Sequence, residues 1–240
     1  MNITAIYRAE WFSPNAVEKD RAILDAVIER LKDKAVVTAI HEEELLNDTP
    51  LPHADLYLSM ARSEEVLNML DGKNVINSSK AIRRCNHRKV NFNVNSNDNS
   101  AKTTYPLWLK RADGKAHEDG DVVFCKDASD KEKTIEQFKQ RGITEWTEQP
   151  HYKGEEVKFY AVGDGFFWPQ GQKITQGGLS PMCKLRQAAS EMAHEIGLTI
   201  YGGDAVIGHD GEVHIIDLND WPSFSACREE AAGEIERLRD

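Results

Sequence analysis

The chain has 240 residues, 40% of them hydrophobic, enough to bury a real core in one α/β unit or in two or three small lobes that share an interface. Forty acidic against 30 basic side chains give a formal charge of -10, which repels polyanionic backbones and argues against nucleic acid as a partner. Arg8 and Glu10 interrupt the first residues and no later run reaches membrane-spanning length, so the expectation is a cytoplasmic protein without a leader peptide or a membrane partner.

The opening ITAIY is a short β-branched apolar run and predicts a strand; Ser13-Pro14 then starts a helical pattern through Leu31. Val36 to Ile40 and Asp55 to Met60 predict further strands, with EEELL between them and SEEVLNML after them as helical pieces. This β-α-β-α alternation predicts an open, mainly parallel sheet over residues 1–75. Ligands of such sheets bind beyond the carboxyl ends of the strands, which singles out Arg8 and Arg62, each of which could equally be a solvated loop residue.

The Asn- and Ser-rich run from Asn91 to Ser100 lacks periodicity and reads as a loop or linker near a lobe boundary. PLWLK and DVVFC predict two strands joined by the polar turn RADGKAHEDG, and DKEKTIEQFKQRG predicts a helix stopped by Gly142. EVKFYAVGDGFFW alternates before a GDG turn and predicts a hairpin, completing an α+β middle lobe placed at 101–163. Gly177-Gly178 would be a flexible loop near a site or a plain turn, and Phe166, Phe167 and Trp168 suit packing. A helix from Pro181 to Ile196 stops at Gly197, two strands meet at His209-Asp210-Gly211, and CREEAAGEIERL predicts a last helix in a lobe spanning 164–240.

The terminal hairpin carries the chemistry. Asp217 and Asn219 are two apart and share one face of their strand, and antiparallel pairing across the turn brings Asp204 beside them. Two carboxylates and an amide oxygen are the hard donors that magnesium takes. The plain alternative is a pair of Asx residues ending a strand before Pro222. Yet an acid directly after the apolar HII is costly to bury without a cation or donor. The sequence has no G-x-x-x-x-G-K-[ST], G-x-G-x-x-G or H-E-x-x-H, and Cys85, Cys125, Cys183 and Cys227 form no C-x-x-C pair, so phosphate loop, dinucleotide fold, zinc site and disulfide framework are all unsupported.

VIGHDGEVHIIDLNDWPSF resembles the end of the ATP-grasp module, of the glutathione synthetase and RimK-like kind. Three upstream segments follow in matching order: VINSSKAIRRCNHRK, PLWLK and EQPHYKGEEVKFYAVG. The match runs from about Val75 to the end and implies an ATP-grasp module over residues 76–240. It implies ATP and magnesium, with manganese as a substitute, the metals on Asp204, Asp217 and Asn219. Lys110 would bind the α- and β-phosphates, unless it is a surface strand lysine. Gln149, or Glu148 in the alternative register, would lie near adenine or ribose. Lys158 would face phosphate or acylphosphate, unless it lies on the outward face of its hairpin. The family's first lysine maps to Arg88 or Lys89, with His87 where an acid is expected. The arginine that many amide-forming members carry two residues before the first metal acid is Gly202 here, and Arg228 could supply that charge instead, or simply open a helix near Glu229 and Glu230.

The reaction so implied is ligation: a carboxylate is activated as an acylphosphate and attacked by an amine. The alternatives are a kinase of the inositol phosphate type acting on a hydroxyl, or a nucleotide-binding module without turnover. The acceptor would be a small molecule or peptide held by Arg62 and Arg228, and a homo-oligomer stays open.

Overall fold

The computed structural model describes residues 1–86, 103–113, 118–170 and 181–239. Its first sheet is parallel, in the order β2-β1-β3-β4, with β1 at Asn2–Tyr7, β2 at Val36–His41, β3 at Leu56–Ser59 and β4 at Val75–Ile76. The connections are α1 (Val17–Leu31), α2 (Glu42–Leu46) and α3 (Glu64–Leu70). The predicted helix start at Ser13-Pro14 moves to Val17. Residues 9–16 instead close i→i+3 turns, Phe12 N to Ala9 O and Ala16 N to Ser13 O, and Glu10–Phe12 forms a 3-10 turn.

A helix not anticipated from the periodicity, α4 (Ser79–Asn86), follows. It buries Ala81 and Cys85 in the core of the C-terminal sheet, so tertiary packing rather than a long amphipathic pattern holds these eight residues helical.

The middle lobe is a three-stranded antiparallel sheet, β6-β5-β7, built from β5 (Leu107–Arg111), β6 (Val122–Cys125) and β7 (Trp146–Pro150). Helix α5 (Ala128–Gln140) lays Phe138 against Leu107, Leu109 and Cys125. Asp127 caps it by accepting the Asp130 amide at 3.0 Å, and Gly142 ends it at φ +74°, a value that favours glycine.

The C-terminal sheet is antiparallel, β11-β10-β8-β9, from β8 (Gly154–Val162), β9 (Phe166–Pro169), β10 (Ile200–Gly208) and β11 (Val213–Asp220). The lobe break expected after residue 163 falls between β8 and β9, which pair with each other in this sheet. All nine residues of β8 pair with β10, so the middle lobe ends at residues 151–153. Helix α6 (Pro181–Ile196) covers one face through Leu185, Ala189 and Ala193.

On the other face α7 (Arg228–Arg237) packs along α1. Ile3, Leu24, Val27, Tyr160, Ile200, Trp221 and Ile235 thus form one core shared by the N-terminal and C-terminal sheets. Trp221 and Phe224 are fully buried there, and at about 1.5–3 kcal/mol for each large side chain removed from water they join the segment after β11 firmly to the N-terminal lobe. No helix among the described residues is long and apolar enough to cross a membrane.

Candidate metal and nucleotide site

The β10–β11 hairpin turns at His209–Gly211, where Gly211 adopts φ +78° and Gly208 N donates to Glu212 O at 2.8 Å. Its register sets Asp204 opposite Asp217 and Gly202 opposite Asn219. On its other side Asp204 faces Lys158 of β8. Lys158, Asp204 and Asp217 therefore form one row across three strands, with Lys158 Nζ 2.8 Å from Asp204 Oδ1. The Asn219 amide donates to Asp217 Oδ2 at 2.7 Å, which fixes the face the two share.

Like charges directly opposed across an antiparallel pair are unfavourable unless a cation lies between or beside them. Here the Lys158 ammonium takes part of that role. Burial alone would lower the Lys158 pKa, but the hydrogen bond and charge of Asp204, with further help from Tyr160 and Asp217, outweigh it and raise the value. The row fits a hard divalent cation such as magnesium or manganese, since Asp204 and Asp217 lie on adjacent strand positions and Asn219 adds an amide oxygen. Among the described residues no cluster of three or more His, Cys, Asp or Glu offers a competing site.

Between Asp204 and Ala205 the register shifts, and Ile216 is the extra residue on β11. Its carbonyl is thereby released from the ladder and accepts from Lys110 Nζ at 2.9 Å and Gln149 Nε2 at 3.3 Å, both reaching over from the middle lobe. Beside these contacts lies a cavity of about 220 Å³ lined by Trp108, Lys110, Gln149, Tyr152, Val206 and Ile216. Tyr152, in the segment between the lobes, stacks on His214 with centroids 3.7 Å apart and planes within 7°.

The sequence-predicted residues distribute unevenly. Lys110, Gln149, Lys158, Asp204, Asp217 and Asn219 lie on the strands around this cleft, and Lys110 is buried rather than on an open strand surface. Glu148, the alternative to Gln149, lies on the opposite face of β7, where its carboxylate pairs with Lys131 of α5 at 2.6 Å.

Arg62, expected to hold the acceptor, is 7% exposed and bound to Asp220, Nη2 to Oδ1 at 2.8 Å. Arg8 is equally buried, against Asp20 at 2.7 Å and Asp220 at 3.3 Å. Arg228 opens α7, and its Nε is buried without a hydrogen-bond partner. Arg88, Lys89 and Gly177-Gly178 lie outside the described residues. Three groups were missed: Asp220, the Ile216 carbonyl and Glu42. Only Asp220 left a signal, as a second acid directly after Asn219 in an otherwise apolar segment.

Gly202 has no room for the arginine that the resemblance implies. A Cβ there would lie 2.7 Å from the Phe159 carbonyl oxygen and 2.9 Å from Pro222 Cγ.

No protein-family model matches the chain, and no curated protein matches it in sequence. Solved structures do match in three dimensions. The VanG D-Ala:D-Ser ligase from Enterococcus faecalis superposes with a TM-score of 0.71 at 14% identity, over 100% of this chain and 99% of that one. The D-alanine–D-alanine ligase from Bacillus anthracis, solved in complex with ATP, gives 0.65 at 12% identity over 100% of both chains. An ATP-grasp protein with a RimK domain, from Sphaerobacter thermophilus, gives 0.64 at 14% identity over 99% of both. The chain thus has an ATP-grasp fold.

Proposed function

We propose that this chain is an ATP-dependent ligase that activates a carboxylate as an acylphosphate for attack by an amine. The observation that carries the reading is the Lys158–Asp204–Asp217 row set beside the cavity of Lys110 and Gln149, within this fold. At about 220 Å³ the cavity falls below the roughly 300 Å³ at which ordinary ligand pockets begin, so it suits a planar base better than a whole nucleotide. Gln149 would orient the base through its side-chain amide. Lys110 would leave the Ile216 carbonyl for the phosphates, where a flexible ammonium serves as a point charge.

Asp204, Asp217 and Asn219 would hold one or two magnesium ions, which neutralise phosphate charge when bound. Lys158 would turn from Asp204 toward the transferred phosphoryl group. Because phosphoryl transfer needs positioning and charge neutralisation more than covalent help, these residues suffice without a nucleophile. Arg228, at the start of α7 with a buried Nε that has no hydrogen-bond partner, is the remaining candidate for an acceptor anion.

A second reading rests on Gly202. With no arginine possible there, phosphorylation of a hydroxyl, which needs no acyl intermediate, is the natural alternative. The formal charge of -10 disfavours a polyphosphate acceptor. Release of ADP from MgATP, measured across amino acids, short peptides and polyols, separates the readings. Turnover requiring both a carboxylate and an amine supports ligation, turnover with an alcohol alone supports the kinase, and binding of MgATP without turnover on any of these would overturn both.

A further inference from the structure

We propose that Arg62 and Arg8, acting through Asp220, are positioning residues for Asn219 and Asp217 rather than ligands of the acceptor. The inference rests on the reading that these β11 residues hold the metal and nucleotide. β11 is an edge strand: it pairs with β10 alone in its sheet order, and its ladder is broken by the bulge at Ile216, immediately before Asp217. Across from Asn219 stands Gly202, which has no side chain to support it. Trp221 anchors the chain just beyond the strand through apolar packing, and Asp220 adds a directional polar anchor next to Asn219.

The Asp220 carboxylate is fully buried and takes Arg62 Nη2 at 2.8 Å on Oδ1 and Arg62 Nε at 3.4 Å on Oδ2. Arg8 Nη2 reaches the same Oδ2 at 3.3 Å and the backbone carbonyls of Asp220 and Trp221 at 3.3 and 3.4 Å. Arg8 Nη1 holds Asp20 at 2.7 Å, so two guanidinium groups meet two carboxylates and the quartet is formally neutral. Burial and the nearby Arg62 lower the Arg8 pKa, with Asp220 and Asp20 opposing them.

The arginines are themselves fixed from behind. Glu42, fully buried, accepts the amides of Arg62 at 2.8 Å, Ser63 at 2.6 Å and Ala9 at 2.8 Å, which ties together the loops after β1 and β3. A fixed chain of contacts thus runs from Glu42, through the Arg62 amide and through Ala9 next to Arg8, to Asp220, one residue beyond Asn219. Buried ion pairs contribute little net stability against an apolar replacement of equal volume, whereas a geometric role uses the rigidity of the fork.

The test is a double-mutant cycle on the full chain, reading MnATP affinity by calorimetry and the Mn2+ paramagnetic resonance spectrum of the complex. Arg62→Lys keeps the charge and loses the fork. It should weaken MnATP binding about tenfold in the wild-type background and less than about twofold in Asn219→Ala, because residues acting through one another are not additive. The spectrum should change with Arg62→Lys and not change further in the double variant. Losses that add, or a lowered melting temperature with unchanged affinity and spectrum, would make the quartet purely structural. If Asn219→Ala binds MnATP as the wild type does, the metal reading fails and the clamp with it. If Asn219→Ala weakens binding and Arg62→Lys does not, the clamp alone fails. Should Arg62→Lys not fold, Asp20→Asn, which loosens Arg8, runs through the same cycle and is judged by the same outcomes.

Discussion

Replacing Asp217 by Asn should move stability and activity in opposite directions. Directly opposed side chains of an antiparallel pair stand about 5 Å apart, so the Asp204 and Asp217 carboxylates repel by about 3 kcal/mol at an effective dielectric of about 20, and by about 1 kcal/mol in bulk water. Asp204 is one-third exposed, which favours the lower figure, and Lys158, about half exposed, offsets part of it by the modest amount typical of a surface pair. The net gain on removing one charge is then roughly 0.5–1 kcal/mol in metal-free buffer. For a chain of this size that raises the melting temperature by about 1–4 °C. The same change removes a charge from the metal set and should lower ATP turnover at least roughly 100-fold. Differential scanning fluorimetry with and without MgATP, together with an ADP-release assay, reads both. The reasoning is refuted if Asp217→Asn melts lower than wild type without metal, or if it retains the MgATP-induced shift and near-normal turnover.

Lys110→Ala should weaken MgATP binding by about 2 kcal/mol, roughly thirtyfold, because a charge-assisted contact is lost. An unchanged dissociation constant by calorimetry would confine Lys110 to its bond with the Ile216 carbonyl. Gly202→Ala should cost about 1–3 kcal/mol, since its Cβ would press on backbone at Phe159, and a wild-type urea midpoint would contradict the packing described. Of the four cysteines, exposed Cys183 should be the one labelled by iodoacetamide at pH 8 in the native state. Burial pushes the Cys227 thiol up to about 12, so modification of Cys227 in folded protein would show that the core shared by the two sheets opens.

Periodicity over a few residues was enough to locate most elements, because the signals are local. The Asp-Gly turn between two strand-forming runs set the hairpin of residues 200–220, and two-residue spacing put Asp217 and Asn219 on one face before any fold was known. The middle lobe's β5 and β6 and its capped helix α5 were legible for the same reason. The N-terminal alternation was legible too, although β4, β7 and α4 were not, since none has a pattern long enough to stand without its packing partners.

What tertiary structure decided lies in contacts between residues far apart in the chain. Only the strand pairing could move β8 into the C-terminal sheet, and only the bulge could leave the Ile216 carbonyl to Lys110 and Gln149, more than 60 residues upstream in each case. Arg62 carries the same charge and stands at the same strand end in either account. Whether it meets solvent or Asp220, 158 residues away, follows from the core that brings β3 and the end of β11 together, and a charged side chain's role is set by what its burial leaves it to pair with.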